Sequence, residues 1–286
     1  MLLSVFHDEV WLPSCANLRA CTMVGYESAW RCHIVDAFGG LEIDSITADM
    51  IETWMAGMPR GAARKAWGVL RAMLRKASRW GVSSVDVTTR VRGPKRTDHQ
   101  PRVLDSRQIA TLLRGFWGHE LEAWLICSVT LGLRPEEALG LEWSDIDLRG
   151  GMVRIRRGVQ WVSGREVVVE PKTDLSARDV VLPRFAIIRL RQIRGRGDGR
   201  LVGGLNPGQV DRRYRRWCRE QHLPFVPREN LRHSWATSAL AAGVDVAVVS
   251  RALGHSSIET TARYYLRPDT SVLKDAQRLW EKSIMR

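Results

Sequence analysis

The residues best suited to chemistry lie near the carboxyl end of the chain, where Tyr264 follows His255 by nine positions. The segment from Leu253 reads Leu-Gly-His-Ser-Ser-Ile-Glu-Thr-Thr-Ala-Arg-Tyr. An imidazole, small hydroxyl side chains and a phenol at one fixed offset are typical of a site that handles a phosphate and supplies its own nucleophile. The chain has four tyrosines, and Tyr265 is adjacent to the first candidate. Because helix packing explains a tyrosine pair equally well, other positions must decide.

Three cations at earlier positions in the chain have suitable surroundings for a phosphate site. Arg134 precedes Pro135, a residue that often opens a helix, so its charge adds to the free N–H groups of a first helical turn. Glu137 follows at three residues and can orient that Arg, although a plain capping salt bridge gives the same pattern. Lys172 lies between β-rich segments, where most lysines are simply exposed, and Arg232 lies in Leu-Arg-His-Ser-Trp-Ala-Thr.

The elements around these residues combine helices with a short β-rich stretch. The pattern of apolar and capping residues predicts helices over residues 105–114, 119–131, 227–242 and 245–253, and a further helix from Pro135. Residues 152–156, 166–169 and 180–182 are β-rich and predict a small three-stranded antiparallel sheet. Ser256 and Glu259 fit a capping box for a helix that carries Tyr264.

The first hundred residues predict helices over residues 22–35, 47–58 and 60–80, with Thr47 as an N-cap. The third helix has an apolar face opposite a narrow stripe of arginines at spacings of seven, four and four residues: Arg64, Arg71, Arg75 and Arg79. A solvated helix face explains the stripe. The alternative is a helix that lies along a DNA backbone or in a groove, since guanidinium groups bind two phosphate oxygens at once.

Residues 91–104 contain two prolines, a glycine and few apolar side chains, and include Lys95 and Arg96. This composition predicts a basic linker between two domains. The net charge of +13 is spread along the 286 residues, which favours a folded basic surface and a polyanionic partner. A hydrophobic content of 44% and 12 Trp exclude a disordered chain.

Cysteine usage and the first residues indicate a protein of a reducing compartment. The five cysteines form no CxxC pair and are odd in number. Cys32 and His33 resemble a metal-site fragment, but nothing at ligand spacing completes it, so no metal and no cofactor are predicted. The apolar run Met1–Phe6 is too short for a signal peptide or a membrane span. The sequence therefore predicts a cytoplasmic protein.

Taken in order, these motifs resemble the tyrosine recombinase (phage integrase) family, and the resemblance covers nearly the whole chain. It implies a mainly α fold with a small antiparallel β-sheet (α+β). Residues 1–92 are similar to a helical core-type DNA-binding (SAM-like) domain, residues 93–102 form the linker, and residues 103–286 are similar to the catalytic domain, with a tail from about residue 267. No room is expected before residue 11 for an arm-type DNA-binding domain.

The resemblance also implies the roles of the site residues. Tyr264 attacks the scissile phosphate and forms a 3′-phosphotyrosyl link, which releases a 5′-hydroxyl. Arg134 and Arg232 clamp the non-bridging oxygens, His255 hydrogen-bonds the same phosphate, and Lys172 donates a proton to the leaving 5′-oxygen. Charge neutralisation by two arginines fits a transfer without metal ions. Tyr265 is the weaker candidate for the nucleophile.

One position departs from the family pattern. A His usually stands three residues before the second Arg, and Glu229 stands there in this chain. A carboxylate next to a phosphate is repulsive unless it is protonated or paired with a cation. Arg232, one helical turn later, is the expected partner. His233 is a poor substitute for the missing His, because one residue of helix rotates a side chain by about 100°.

The resemblance implies an integrase that acts as a homotetramer on double-stranded DNA with specific recombination sites, aided by accessory DNA-bending or directionality proteins. DNA binding would place it at the nucleoid. The tail from residue 271 to 285 has apolar residues at helical spacing, which predicts docking onto a neighbouring subunit or an intramolecular cap. Two alternatives remain open: a DNA-binding regulator that has lost catalysis, with Glu229 as its sign, and a type IB topoisomerase-like activity.

Overall fold

The computed structural model describes residues 1–95, 101–170, 177–194, 199–255 and 257–265, together with positions 277 and 281. The chain divides into two units, Met1–His99 and Gln100–Arg286. The division falls inside the segment predicted as a linker, and the role assigned to each domain stays a prediction. Within these described ranges, no helix has both the length and the apolar character that a membrane span requires.

The first unit is helical, as predicted. Its helices are α1 (Leu3–Phe6), α2 (Leu12–Ser14), α3 (Ala20–Ala29), α4 (Ala48–Ala56) and α5 (Arg60–Arg79), and wider π-type turns over His7–Trp11 and Trp30–Gly39 follow α1 and α3. The hydroxyl of Thr47 accepts from the N–H of Met50 at 3.3 Å, which confirms the predicted N-cap of α4. The sequence predicts no helix before residue 22, yet Leu3, Phe6 and Trp11 are buried in the core of this unit.

Helix α5 has the two faces that its pattern predicts. Its apolar face is buried, with Ala66, Leu70, Met73 and Ala77 fully enclosed. The arginine stripe on the other side is exposed: Arg64, Arg71, Arg75 and Arg79. Nε of Arg75 donates to the hydroxyl of Thr88 at 3.2 Å, so this member of the stripe also ties the helix to the following loop.

The second unit contains the remaining helices: α6 (Ser106–Gly115), α7 (Glu122–Thr130), α8 (Pro135–Gly140), α9 (Arg184–Ile193), α10 (Pro207–Glu220), α11 (Arg228–Ala241), α12 (Val246–Leu253) and α13 (Ile258–Tyr265). Helix α7 is buried along its whole length and forms the centre of the core. Its buried Glu122 is paired with Arg189 of α9, which offsets the cost of enclosing a charge. Because α7 is buried up to its last residue, Thr130, its end gives a fixed starting point for the turn that leads to Arg134.

The β-rich stretch forms two small antiparallel sheets, whereas the sequence predicts one. Strands β1 (Ile146–Asp147), β2 (Met152–Ile155) and β5 (Arg178–Val181) form a sheet in the order β1-β2-β5, and β3 (Gly158–Val162) pairs with β4 (Arg165–Val169) in a separate hairpin. The assignment of residues 166–169 to the three-stranded sheet is wrong. Ser163 and Gly164 both have positive φ, at 50° and 79°. Such a two-residue turn pairs β4 with the strand directly before it.

Candidate active site

The carboxyl end of α12 is the point on which the candidate site is built. Guanidinium groups from three separate elements donate to three successive carbonyl oxygens there, at 2.7 to 2.9 Å: Arg178 to Ala252, Arg232 to Leu253 and Arg134 to Gly254. The last carbonyls of a helix lack partners within the helix and carry a partial negative charge. They therefore hold the three cations close together without neutralising them.

His255 follows this cluster directly because of the conformation of Gly254. Gly254 ends α12 in the left-handed region, with φ of 66°. Glycine adopts this conformation at little cost and lets the chain turn sharply after a helix. The N–H of His255 then bonds the carbonyl of Ser250 at 3.1 Å. The imidazole is thus fixed beside the arginines.

Glu137 is buried and links two of the arginines. Its carboxylate accepts from Nη1 of Arg134 at 2.7 Å and from the backbone N–H of the same residue at 2.8 Å. Arg178 donates to both of its oxygens, at 3.0 and 2.9 Å. Burial by itself would raise the pKa of Glu137, but the hydrogen bonds and charges of Arg178 and Arg134 hold the pKa below its ordinary value. Because Glu137 is ionised, Glu137, Arg134 and Arg178 together retain one positive charge.

Arg232 is held from α11 and is nearly enclosed. Its Nη1 donates to the carbonyl of Gly132 at 2.9 Å, in addition to the bond with Leu253. Gly132 has φ of 61°, and a Cβ there would lie 2.6 Å from the ring of Trp235. Only glycine fits this turn, which brings the carbonyl within reach of Arg232 and leads the chain from α7 towards Arg134.

His255 forms a hydrogen bond with α13, the helix that carries the candidate nucleophile Tyr264. Its Nδ1 lies 2.8 Å from the hydroxyl of Thr261, a fully buried residue of α13. Partial burial lowers the pKa of His255 to about 4, and the charges of Arg232, Arg134 and Arg178 contribute. The imidazole of His255 is therefore neutral near pH 7. Burial and the charge of Arg232 also lower the pKa of the neighbouring His233.

Tyr264 lies in the last turn of α13, three residues after Thr261. Helix α13 packs against α12, which leads into His255, and against α11, which carries Arg232. The structure thus brings Arg134, Arg232 and His255 together and places the helix of Tyr264 beside them. Several predicted positions lie outside the described residues: Lys172, Arg96, Ser256 and, apart from positions 277 and 281, the tail from residue 267. Because Ser256 is among these positions, its capping box with Glu259 stays a prediction; the neighbouring Ser257 accepts from the N–H of Glu259 through its hydroxyl at 3.1 Å.

Residues 104–271 match the model of the phage integrase family. The chain belongs to this family. A tyrosine recombinase XerC-like protein of Caldanaerobacter subterraneus subsp. tengcongensis is 27% identical over 188 residues, covering 55% of this chain and 48% of that protein. Tyrosine recombinase XerD of Mycobacterium tuberculosis is 30% identical over 229 residues, covering 74% of this chain and 71% of that protein.

Solved integrase structures share the fold. The Tn1549 transposon integrase in complex with a circular intermediate DNA superposes with a TM-score of 0.80 at 16% identity, covering 97% of this chain and 99% of that one. A lambda integrase tetramer bound to a Holliday junction gives 0.65 at 17% identity, covering 90% and 74%. The mainly α architecture with small antiparallel sheets is therefore that of this family, and its members include tyrosine-type site-specific recombinases.

Glu229, at the position where the family usually has His, lies in the first turn of α11 with its side chain 56% exposed. Its carboxylate lies 3.4 Å from Nε of Arg228, whereas Arg232 was the expected partner. That expectation fails because the guanidinium of Arg232 is directed to the carbonyls of Gly132 and Leu253. A negative charge in a first helical turn is stabilised by the helix dipole, so Glu229 has a structural reason to be there.

Two residues of the cluster are absent from the sequence-based set. Arg178 occupies the inward phase of β5, the same phase as the buried Val180. A charged residue in that phase is a usable signal, because a buried guanidinium needs an acidic partner. Thr261 gives no such signal, since its contact with His255 depends on how α13 packs. Among the described residues no group of three or more His, Cys, Asp or Glu is placed to hold a metal ion.

Proposed function

We propose that this recombinase cuts and rejoins DNA through a 3′-phosphotyrosyl intermediate at Tyr264. The convergence of Arg134, Arg232 and His255 at one helix end, beside the helix of Tyr264, carries this proposal. The phenol oxygen of Tyr264 forms a bond to phosphorus and gives its proton to solvent, and the bond from phosphorus to the 5′-oxygen breaks. Lys172 supplies the proton that the leaving 5′-oxygen takes up.

The charge of the cluster suits this transfer. Negative charge grows on the non-bridging oxygens as the phosphorus becomes five-coordinate, and fixed cations in a partly enclosed site stabilise it without rearrangement. Arg134 is held by Glu137 and Gly254, and Arg232 by Gly132 and Leu253, so both guanidinium groups are oriented before DNA arrives. The phosphotyrosyl bond conserves the energy of the cut bond, which allows rejoining without ATP.

The partner is double-stranded DNA with specific recombination sites, bound by a homotetramer, with accessory DNA-bending or directionality proteins. The exposed arginine stripe of α5 and the exposed Lys95 support a DNA contact by the first unit, and Arg96 stays a DNA-binding residue predicted from the sequence. The similarity to a lambda integrase tetramer on a Holliday junction supports the assembly. We place the protein in the cytoplasm, at the nucleoid when it is bound to DNA.

A nicked suicide substrate tests the proposal. A nick next to the cut site lets the short 5′-hydroxyl strand diffuse away, so the covalent adduct accumulates. The wild-type protein should form an adduct that peptide mapping assigns to Tyr264, and Tyr264→Phe should form none. Tyr265→Phe is the matched control and should keep the adduct. An adduct that persists in Tyr264→Phe and disappears in Tyr265→Phe would transfer the role to the neighbour.

Two-site dependence separates this function from its alternatives. A recombinase exchanges strands between two defined sites, whereas a topoisomerase-like enzyme relaxes supercoiled DNA of almost any sequence. A regulator without catalysis binds DNA and forms no adduct. Relaxation of a plasmid that lacks any recombination site, at the rate seen with a plasmid that carries two, would contradict the recombinase assignment.

A further inference from the structure

The contact between His255 and Thr261 joins two parts of the candidate site that have different tasks. His255 follows α12 and lies among the arginines, whereas Thr261 belongs to the helix that carries Tyr264. Their side chains are 2.8 Å apart, between Nδ1 and the hydroxyl oxygen, and Thr261 is fully buried. A hydroxyl can donate to an unprotonated ring nitrogen or accept from a protonated one, so this contact links the tautomer of His255 to the bond that its other nitrogen makes.

The required proton position follows from the chemistry of the phosphate. The imidazole is neutral, since its surroundings lower the pKa of His255 to about 4, and so one ring nitrogen donates while the other accepts. Phosphate oxygens only accept. With Nδ1 bonded to Thr261, the nitrogen left for the phosphate is Nε2, and it must carry the hydrogen. Nδ1 is then unprotonated, and the hydroxyl of Thr261 must be the donor.

We propose that Thr261 is a positioning residue: its hydroxyl donates to Nδ1 of His255 and holds the ring in the tautomer whose Nε2–H bonds the scissile phosphate. This inference rests on the proposed function of the site. Because Thr261 and Tyr264 are one helical turn apart, the same docking of α13 that delivers the nucleophile also sets the tautomer of His255. If DNA binds while α13 is displaced, the scissile phosphate therefore meets neither Tyr264 nor a His255 ring that carries its proton on Nε2.

Substitutions at Thr261 test this link. Thr261→Val keeps the shape of the side chain and removes the hydroxyl, and it should slow adduct formation about tenfold, the effect of one lost hydrogen bond near the reacting group. Thr261→Ser keeps the hydroxyl and should restore the rate to within about twofold, since the donor is the same. The substrate is a nicked duplex that carries the sequence at which the wild-type adduct maps. The melting temperature of each variant shows whether it is folded.

A second substitution separates positioning from packing. In the His255→Gln background, adding Thr261→Val should cause no further loss, because the hydroxyl acts through the imidazole. An equal loss in both backgrounds would show that Thr261 only packs α13, and would overturn the inference. So would a Thr261→Val protein with the wild-type rate.

Nitrogen NMR of the DNA-free protein gives a readout that does not depend on activity. The shifts of His255 should report a proton on Nε2 in the wild type and in Thr261→Ser, and a mixture of tautomers in Thr261→Val. A wild-type proton on Nδ1 would overturn the inference even if the adduct forms. If the wild type forms no adduct at Tyr264, the proposed function fails, while the tautomer measurement still decides the role of Thr261.

Discussion

The site combines residues that are always charged with one residue that is neutral. Arg134, Arg178 and Arg232 keep their charge at any accessible pH, and one ionised Glu137 offsets only part of it. Next to that excess positive charge, His255 stays neutral. Positive charge is thus supplied by groups that cannot lose it, while the imidazole contributes a directed hydrogen bond.

The lowered pKa of His255 has a consequence for stability. In the unfolded chain this histidine titrates near its ordinary value of 6.5, and in the fold near 4. The unfolded state therefore binds the proton first as the pH falls, so the contribution of His255 to stability is fully present above pH 6.5 and is lost towards pH 4. Urea unfolding of the DNA-free protein should show a steeper loss over this window than His255→Gln. Parallel curves would mean that the histidine titrates normally in the fold.

Glu229 offers a second prediction at this scale. Replacing it with His removes a carboxylate from the expected phosphate position, so Glu229→His should preserve or raise the rate of adduct formation on the nicked substrate. The loss of its contact with Arg228 and of its place in the first turn of α11 should cost about 0.5 to 1 kcal/mol of stability. Glu229→Gln separates loss of charge from gain of an imidazole. A large loss of cleavage in Glu229→His with a normal melting temperature would contradict the prediction.

Among the elements, the turn between α7 and α8 places strict demands on one residue. Gly132→Ala combines left-handed strain, about 1 to 2 kcal/mol, with a Cβ that would lie 2.6 Å from Trp235 and 3.0 Å from Leu253. The carbonyl of Gly132 also accepts from Arg232. We expect a loss of about 2 to 4 kcal/mol in urea unfolding and a slower formation of the adduct.

Gly118→Ala is the matched control for that substitution. Gly118 has φ of 88°, and a Cβ there would meet no atom within 4 Å. It therefore carries the backbone strain without the clash, and its stability should fall by about 1 to 2 kcal/mol with little change in cleavage. Equal losses in the two variants would show that the contact with Trp235 is relieved at no cost.

The sequence predicts those elements whose signals are local. Thr47 caps α4, Asp105 forms a capping box with Gln108 at the start of α6, and Gly254 ends α12, each through bonds to residues at most four positions away. The hairpin of β3 and β4 is missed because the alternation in Gly158–Val162 is weak, although Ser163 and Gly164 are a usable turn signal.

The site itself shows where local signals end. Arg178 reaches Glu137 across 41 positions, and Arg134 reaches Gly254 across 120. Contacts between residues so far apart in the sequence produce no periodic pattern along the chain, and both bonds depend on how strands and helices pack. The order of the motifs therefore predicts which residues meet, while the shared anchor at the end of α12 and the contribution of Arg178 emerge only from the packed structure.

At the scale of the whole molecule, the net charge of +13 allows DNA binding without specifying which surface makes the contact. The stripe of α5 is a candidate because its arginines are exposed on the side opposite the core. Arg64 and Arg71 test the contact better than Arg75, since the bond of Arg75 to Thr88 gives that residue a part in the fold as well.

The dependence of DNA affinity on salt identifies the surface. Each phosphate contact releases counterions and contributes about 0.9 to the slope of log K against log salt. Arg64→Ser and Arg71→Ser should each lower that slope by about one. Lys65→Ser is the control, because Lys65 is exposed on the same helix but points about 100° away from Arg64. This substitution removes the same charge and should leave the slope unchanged. Equal changes in all three variants would mean that the net charge, and no particular face of α5, sets the affinity.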